Sequence, residues 1–357
     1  MTSDKKNKRH FKQIAGISFS VILSAVFLYI AFHGVNFSQV LNILSDTSLI
    51  WIFIYILVWF TSHYIRAARW KVILHSVKPD MSVMNVLGSL MAGYGVNNVV
   101  PRMGEISRAV LLGKWEKTSR TSILGTIFVE RIIDMIFLAI AMLIAITLWG
   151  GNLYEHFPWL KSAIILTSLL LAALIIMLLL IIRFKSGFSN IIIKITGKVS
   201  AKLAGKVTYI FDMLIAGFSS LKGTRNYVIT FILSVLLILS YALTTYVGFY
   251  TIGMNKILPV TFTMAWVLMS VSAIGIVIPT PGGTGSYHTL AKSVLVLIGF
   301  SEEISLAYAV LTHIVQYILF ILLAIFFFLW LNSRSSKLYG VKEKFSDLIE
   351  ETKLENL

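Results

Sequence analysis

Charged side chains inside long apolar runs are the residues of this sequence best placed to do chemistry, because an ionisable group in hydrocarbon is costly unless it has a partner or a function. Glu130, Arg131 and Asp134 stand in the run Ser122–Trp149, roughly 15 Å from its near end at about 1.5 Å per helical residue. Glu130 and Asp134 are four apart and share a helix face. Arg131 is turned by about 100° from Glu130 and needs a partner on another element, for which Glu105 is the nearest candidate. Arg102, Glu105 and Arg108 follow Pro101, the last two at helical spacing. Arginine's planar fork is the natural clamp for a phosphate. The stretch Pro279-Thr-Pro281-Gly282-Gly283-Thr-Gly285-Ser-Tyr-His288 is glycine-rich and opens a helix, so it can turn backbone N–H groups toward an anion. His288, and His313 with Gln316 and Tyr317 further on, add polar groups near mid-depth.

Each feature has a structural alternative. The carboxylates and arginines can form an ion pair between helices, the glycines can merely let two helices approach, and the histidines can be hydrogen-bonded packing residues. Arg66 and Arg69 close an apolar run beside Trp70, where snorkelling and aromatic anchoring account for them.

Several chemistries are excluded. Cysteine is absent, which removes disulfides, thiolate metal sites and a thiol nucleophile. There is no His-x-x-x-His or His-Glu-x-x-His pair, nucleophile elbow or Walker loop, so no metal and no cofactor are expected. Lys and Arg number 31 against 16 Asp and Glu, yet no basic or aromatic stripe lies outside the segments flanking apolar runs. Nucleic acid is therefore not an expected partner, whereas an anionic membrane surface is.

The elements that must position these residues are membrane spans. Apolar residues make up 57% of the chain and only 13% are charged, which defines an all-α polytopic membrane protein. Six runs are long enough to cross: Ile14–Phe32, Leu49–Ile65, Ser122–Trp149, Leu160–Ile182, Tyr227–Tyr250 and Ile304–Leu331. The first is too long for a signal core and is read as a retained span. Two further apolar regions, Val83–Val100 and Phe262–Phe300, are broken by Gly, Asn and Pro. Such backbone is tolerated at membrane depth only inside protein or beside water.

Charge decides how these two run. If both are re-entrant hairpins, 27 of the 31 Lys and Arg fall in segments 1–13, 66–78, 102–120, 183–225 and 332–357, all cytoplasmic. If Val83–Val100 crossed instead, 13 of them would face outward. The expected layout is six spans and two re-entrant helical hairpins in two inverted halves, about 14–150 and 160–332. A basic N-terminus, 1–13, and an amphipathic tail, 333–357, flank them, both cytoplasmic at the cell membrane. Paired broken segments in inverted halves are the sequence pointer to a midplane transporter site. Lysines 194, 198, 202 and 206 line one face of a cytoplasmic helix.

Asn98-Val-Val-Pro101-Arg-Met-Gly104-Glu105-Ile-Ser-Arg108, then Glu130-Arg131-Ile-Ile-Asp134, then Pro281-Gly-Gly-Thr-Gly285, resemble the lysylphosphatidylglycerol synthase transmembrane-region family over residues 13 to 332 or so. This is the flippase-like membrane half of the multiple peptide resistance factor, also found as stand-alone proteins. The resemblance implies a lipid translocase with re-entrant helices. It places Arg102, Glu105, Arg108, Glu130, Arg131 and Asp134 at family motif positions. The chain departs from the family at His288, where Glu is common, and at His313, where Arg is common. The synthase's soluble aminoacyl-transferase domain is expected to be absent, since about 25 residues follow the last span.

The expected function is translocation of a phospholipid or polyprenyl-phosphate-linked lipid, its headgroup held by Arg102, Arg108 and the glycine-rich turn. Two rivals remain. One is a membrane-embedded transferase using Glu105, Glu130 or His288 as base. The other is a partner subunit of an envelope-synthesis enzyme. A homo-oligomer stays open.

Overall fold

Helix accounts for the regular structure throughout, because in lipid each backbone N–H must be satisfied within its own segment. The computed structural model describes residues 3–101, 103–149, 224–339 and scattered positions between 162 and 176. There is no strand among the described residues. The helices are α1 (Ser3–Phe32), α2 (Phe37–Ser45), α3 (Leu49–Leu74), α4 (Val83–Val99), α5 (Gly104–Glu116), α6 (Arg120–Leu148), α7 (Thr224–Thr251), α8 (Phe262–Val277), α9 (Ser286–Ile298) and α10 (Glu302–Tyr339). Polar caps set several of their starts. Asn36 Oδ1 accepts from Ser38 N at 3.1 Å, Ser119 Oγ from Ser122 N at 3.3 Å, and Thr261 Oγ1 from Met264 N at 3.2 Å.

Four helices are long and apolar enough to cross a membrane: α3, α6, α7 and the Glu302–Arg334 part of α10. A fifth candidate is bent, since Ser18–Phe32 and Phe37–Ser45 meet at 88°. Four or five of the six expected spans are thus present. The remaining run, 160–182, is described only at scattered positions, and the lysine face 194–206, the tail beyond 339 and Arg102 lie outside the described residues.

Two expectations change. The span expected to end at Ile65 continues as α3 to Leu74, carrying Arg66 and Arg69 inside the helix. Within segment 102–120, where Glu105 and Arg108 stand at helical spacing, Gly104–Glu116 is a helix whose Ala109, Val110, Leu111, Leu112 and Trp115 are buried. Val83–Val100 is not broken internally. It is one helix through Gly93, Gly95, Asn97 and Asn98, and the chain breaks only between α4 and α5. There Asn97 Oδ1 accepts from Gly104 N at 2.7 Å, and a Cβ on Gly104 would collide with the Gly93 carbonyl. At the other end of the pair Glu116 accepts from Ser82 N at 3.1 Å and from Asn85 Nδ2 at 2.6 Å, and Lys78 Nζ is 2.6 Å from its carboxylate. Those bonds tie the start of α4 to the end of α5, so the two helices run antiparallel.

α8 and α9 pack against each other. A Cβ on Gly275 would lie 2.9 Å from the Ser286 carbonyl oxygen. Between them the chain turns through Gly282, Gly283 and Gly285, all at positive φ, a backbone that favours glycine.

Packing divides the chain into two units. The first holds the described residues of Met1–Phe60, Met91–Gly104 and Tyr241–Leu329, and the second those of Thr61–Leu90, Glu105–Ser240 and Trp330–Leu357.

Candidate functional site

The second unit contains a cluster of ionised side chains assembled from three helices. α3 supplies Arg66 and Arg69, α5 supplies Glu105 and Arg108, and α6 supplies Glu130, Arg131 and Asp134. Spacings of three and four put Arg66 with Arg69, Glu105 with Arg108, and Glu130 with Asp134 on one helix face each, with Arg131 turned aside from Glu130. Glu130 is the centre and is 0% exposed. Its Oε1 lies 2.9 Å from Arg66 Nη2 and 3.5 Å from Arg69 Nη2, while its Oε2 is 2.8 Å from Arg108 Nη2. Asp134 pairs with both Arg66 and Arg69, one carboxylate oxygen to each. Arg69 also donates to Ser234 Oγ of α7 at 3.2 Å.

Arg66 and Arg69 therefore do not snorkel to an interface, as their place at the edge of the apolar run led one to expect. They are buried and form the cationic heart of the cluster. The available signal was the matching of two arginines three apart to two carboxylates four apart, a pattern that lets one helix face neutralise another. Arg108 is likewise buried. Besides Glu130 it faces the ring of Trp70, with 4.5 Å from Cζ to the centroid, and Trp70 in turn donates to Thr126 Oγ1 at 3.1 Å.

The accessible end of the cluster is different. Arg131 is 38% exposed at its side chain and Glu105 33%, and they stand 4.0 Å apart, the pairing that Arg131's position on its helix requires. Arg131 also reaches Asp134 at 3.7 Å. Arg102, expected beside them, lies outside the described residues.

The other predicted residues group in the first unit. His288 of α9 and His313 of α10 have ring centroids 4.6 Å apart. His288 Nδ1 accepts from Gly285 N at 3.2 Å, and Thr284 Oγ1 is 3.2 Å from His313 Nε2. The turn Pro281–Gly285 is pinned beside them, with Ser24 Oγ of α1 donating to the Thr284 carbonyl at 2.9 Å. Tyr317, read beside His313 in the sequence, and Thr284 and Tyr287, which were not singled out, complete this group; both tyrosine rings lie 5.8 Å from that of His313.

An all-helical membrane protein with a buried Arg–carboxylate cluster and glycine-turned helix pairs is the class that this geometry defines. The chain belongs to the lysylphosphatidylglycerol synthase TM region family, whose profile matches residues 14–324, as its three motifs implied. It is 22% identical over 317 residues to a UPF0104 membrane protein of Methanocaldococcus jannaschii, covering 84% of this chain and 90% of that one. A UPF0104 membrane protein of Methanothermobacter thermautotrophicus is 30% identical over 103 residues, 27% of this chain and 29% of that one. No solved structure matches the chain.

Proposed function

We propose that this protein moves a lipid or lipid-linked substrate, of the aminoacyl-phospholipid or polyprenyl-phosphate type, between the leaflets of the cell membrane. Its anionic headgroup is met at the accessible end of the ion cluster. The observation that carries this is the division of labour among the charges. Arg66, Arg69 and Arg108 are committed to Glu130 and Asp134, while Arg131 and Glu105, 4.0 Å apart, form the part-exposed end of the cluster. Four arginines against three carboxylates leave one positive charge over, which favours an anion. In a bilayer such a group of charges is retained for a pathway or for structure, and an open end favours the pathway. A family named for a lysylphosphatidylglycerol synthase is consistent with a lipid substrate.

In this reading the pairs α4–α5 and α8–α9 are re-entrant hairpins in inverted halves, and their movement alternates access while the acyl chains stay in lipid. The substrate leaves chemically unchanged. Glu130 is fully buried among arginines and has no open face for a transferred group, which favours transport over transferase chemistry.

The test is purified protein in liposomes, with headgroup exposure followed on each leaflet for phospholipids and polyprenyl-phosphate lipids in parallel. Wild type should move one class faster than protein-free vesicles do. Arg131→Gln, which keeps a polar side chain but loses the charge, should lose that movement while eluting as folded protein. Transport by Arg131→Gln at the wild-type rate would place the headgroup elsewhere, and no lipid movement by wild type would reject the function.

A further inference from the structure

We propose that His288 and His313 form a binding site for a single proton, and that the ring which holds it decides whether the glycine-rich turn stays clamped. The hydrogen bonding sets the starting state. Because the Gly285 N–H donates to Nδ1 of His288, that nitrogen carries a lone pair, and in the neutral ring the proton sits on Nε2. His288 is the third residue of α9, so its ring completes the first turn by reaching back to the residue that caps it. His313 holds the adjacent residue, since its Nε2 is 3.2 Å from Thr284 Oγ1. Each imidazole thus ties down one residue of the turn.

A proton reaching Nδ1 of His288 would set two donors against each other, and the Gly285 bond must open. A proton on His313 can be accommodated, since Nε2–H then donates to Thr284 Oγ1. Both rings cannot be charged together, because their centroids are 4.6 Å apart and His288 is buried, so the pair holds one proton. The lever is short. Gly285 sits so close to α1 that a Cβ there would lie 2.5 Å from the Ser24 carbonyl oxygen, and Thr289 Oγ1 donates to the Phe27 carbonyl at 2.8 Å. Losing the Gly285 bond therefore loosens the turn where it leans on α1.

The neighbouring groups leave the pair as the natural proton acceptor. From α9 come Tyr287 and Lys292; the lysine, one turn beyond His288, is held by Glu302 at 2.8 Å and the Ala31 carbonyl at 3.0 Å. From α10 come Tyr308 and Tyr317, and from α3 Tyr55, hydrogen-bonded to Gln316. α8 brings no titratable side chain, and α1 faces the turn with Ser24 and Phe27. Glu302 and Glu303 of α10 precede His313 by about 15 Å of helix.

If the transport reading holds, a proton taken up from one side and released to the other supplies its driving force; the site itself does not depend on that reading. Histidine-selective nitrogen-15 spectra of the full chain in nanodiscs test the site directly. As the pH is lowered, His288 and His313 should take up one proton between them, with the Nε2–H tautomer of His288 at the upper end. His288→Asn keeps an acceptor for Gly285 but takes no proton, and it should leave His313 titrating alone. In liposomes an imposed pH gradient should stimulate wild-type lipid movement, and the stimulation should be lost in both His288→Asn and His313→Gln. Spectra in which the two rings titrate independently, or keep one form throughout, overturn the proposal whatever the lipid assay reads. Lipid movement indifferent to the gradient overturns the coupling and leaves the transport reading intact.

Discussion

At the scale of single residues, the ion cluster separates charges that hold the fold from charges that can serve a ligand. Glu130 is fully buried and faces three arginines, so Glu130→Gln leaves cations without compensation in a dry site. Removing one partner of a buried pair costs about 3–5 kcal/mol. Glu105→Gln removes only a partly exposed pair at 4.0 Å, which is worth about 0–1 kcal/mol. Thermal unfolding in detergent should therefore show a large drop for Glu130→Gln and almost none for Glu105→Gln, and equal drops would mean that Glu130 is not the keystone. Five of the seven cluster residues were legible in the sequence: Glu130, Arg131 and Asp134 because charge inside an apolar run is costly, and Glu105 and Arg108 from their helical spacing after Pro101. Arg66 and Arg69 were misread because they stand at the edge of such a run, where hydropathy alone sees an interface. Only the partner helix turns that edge into an interior.

At the scale of elements, the positions that break the helices are the ones that let them approach. α8 and α9 touch backbone to backbone at Gly275, where an added Cβ would come within 2.9 Å of the Ser286 oxygen and 3.0 Å of the Tyr287 nitrogen. Backbone cannot yield as a flexible side chain does. Gly275→Ala should therefore force the pair apart, costing about 1–3 kcal/mol, and should lower lipid movement together with the melting temperature. An unchanged melting temperature would show that the pair has slack. The broken region Phe262–Phe300 was legible from its glycines and prolines, which no lipid-facing helix needs. α5 was legible only in part, since Glu105 and Arg108 stand at helical spacing while Arg102, Arg108, Lys114, Lys117 and Arg120 put 102–120 among the basic cytoplasmic segments. The structure removes Arg108 from that count by giving it Glu130 and Trp70, and the apolar residues that follow it are then free to pack.

At the scale of the whole molecule, orientation rests on where basic residues remain once the cluster has taken its share. Segments 66–78 and 102–120 carry nine Lys and Arg, of which Arg66, Arg69 and Arg108 are neutralised by Glu130 and Asp134. The other six still outweigh the connections 33–48, 252–261 and 299–303, which hold one lysine, Lys256, beside Asp46, Glu302 and Glu303. The positive-inside rule therefore survives the correction, and by it the former segments are expected to face the cytoplasm. Because the chain has no cysteine, single substitutions report side without further engineering. Asn36, Ser301, Ser76 and Ser119 are all exposed, so a cysteine at any of them is open to reagent from its own side. Cysteines at Asn36 and Ser301 should react in whole cells with an impermeant thiol reagent, while those at Ser76 and Ser119 should react only after the membrane is permeabilised. Ser119 is the most informative position, since it follows α5 directly. Labelling there from outside would mean that α4 and α5 together cross the membrane once, and with the re-entrant hairpin would go the inverted halves on which alternating access depends.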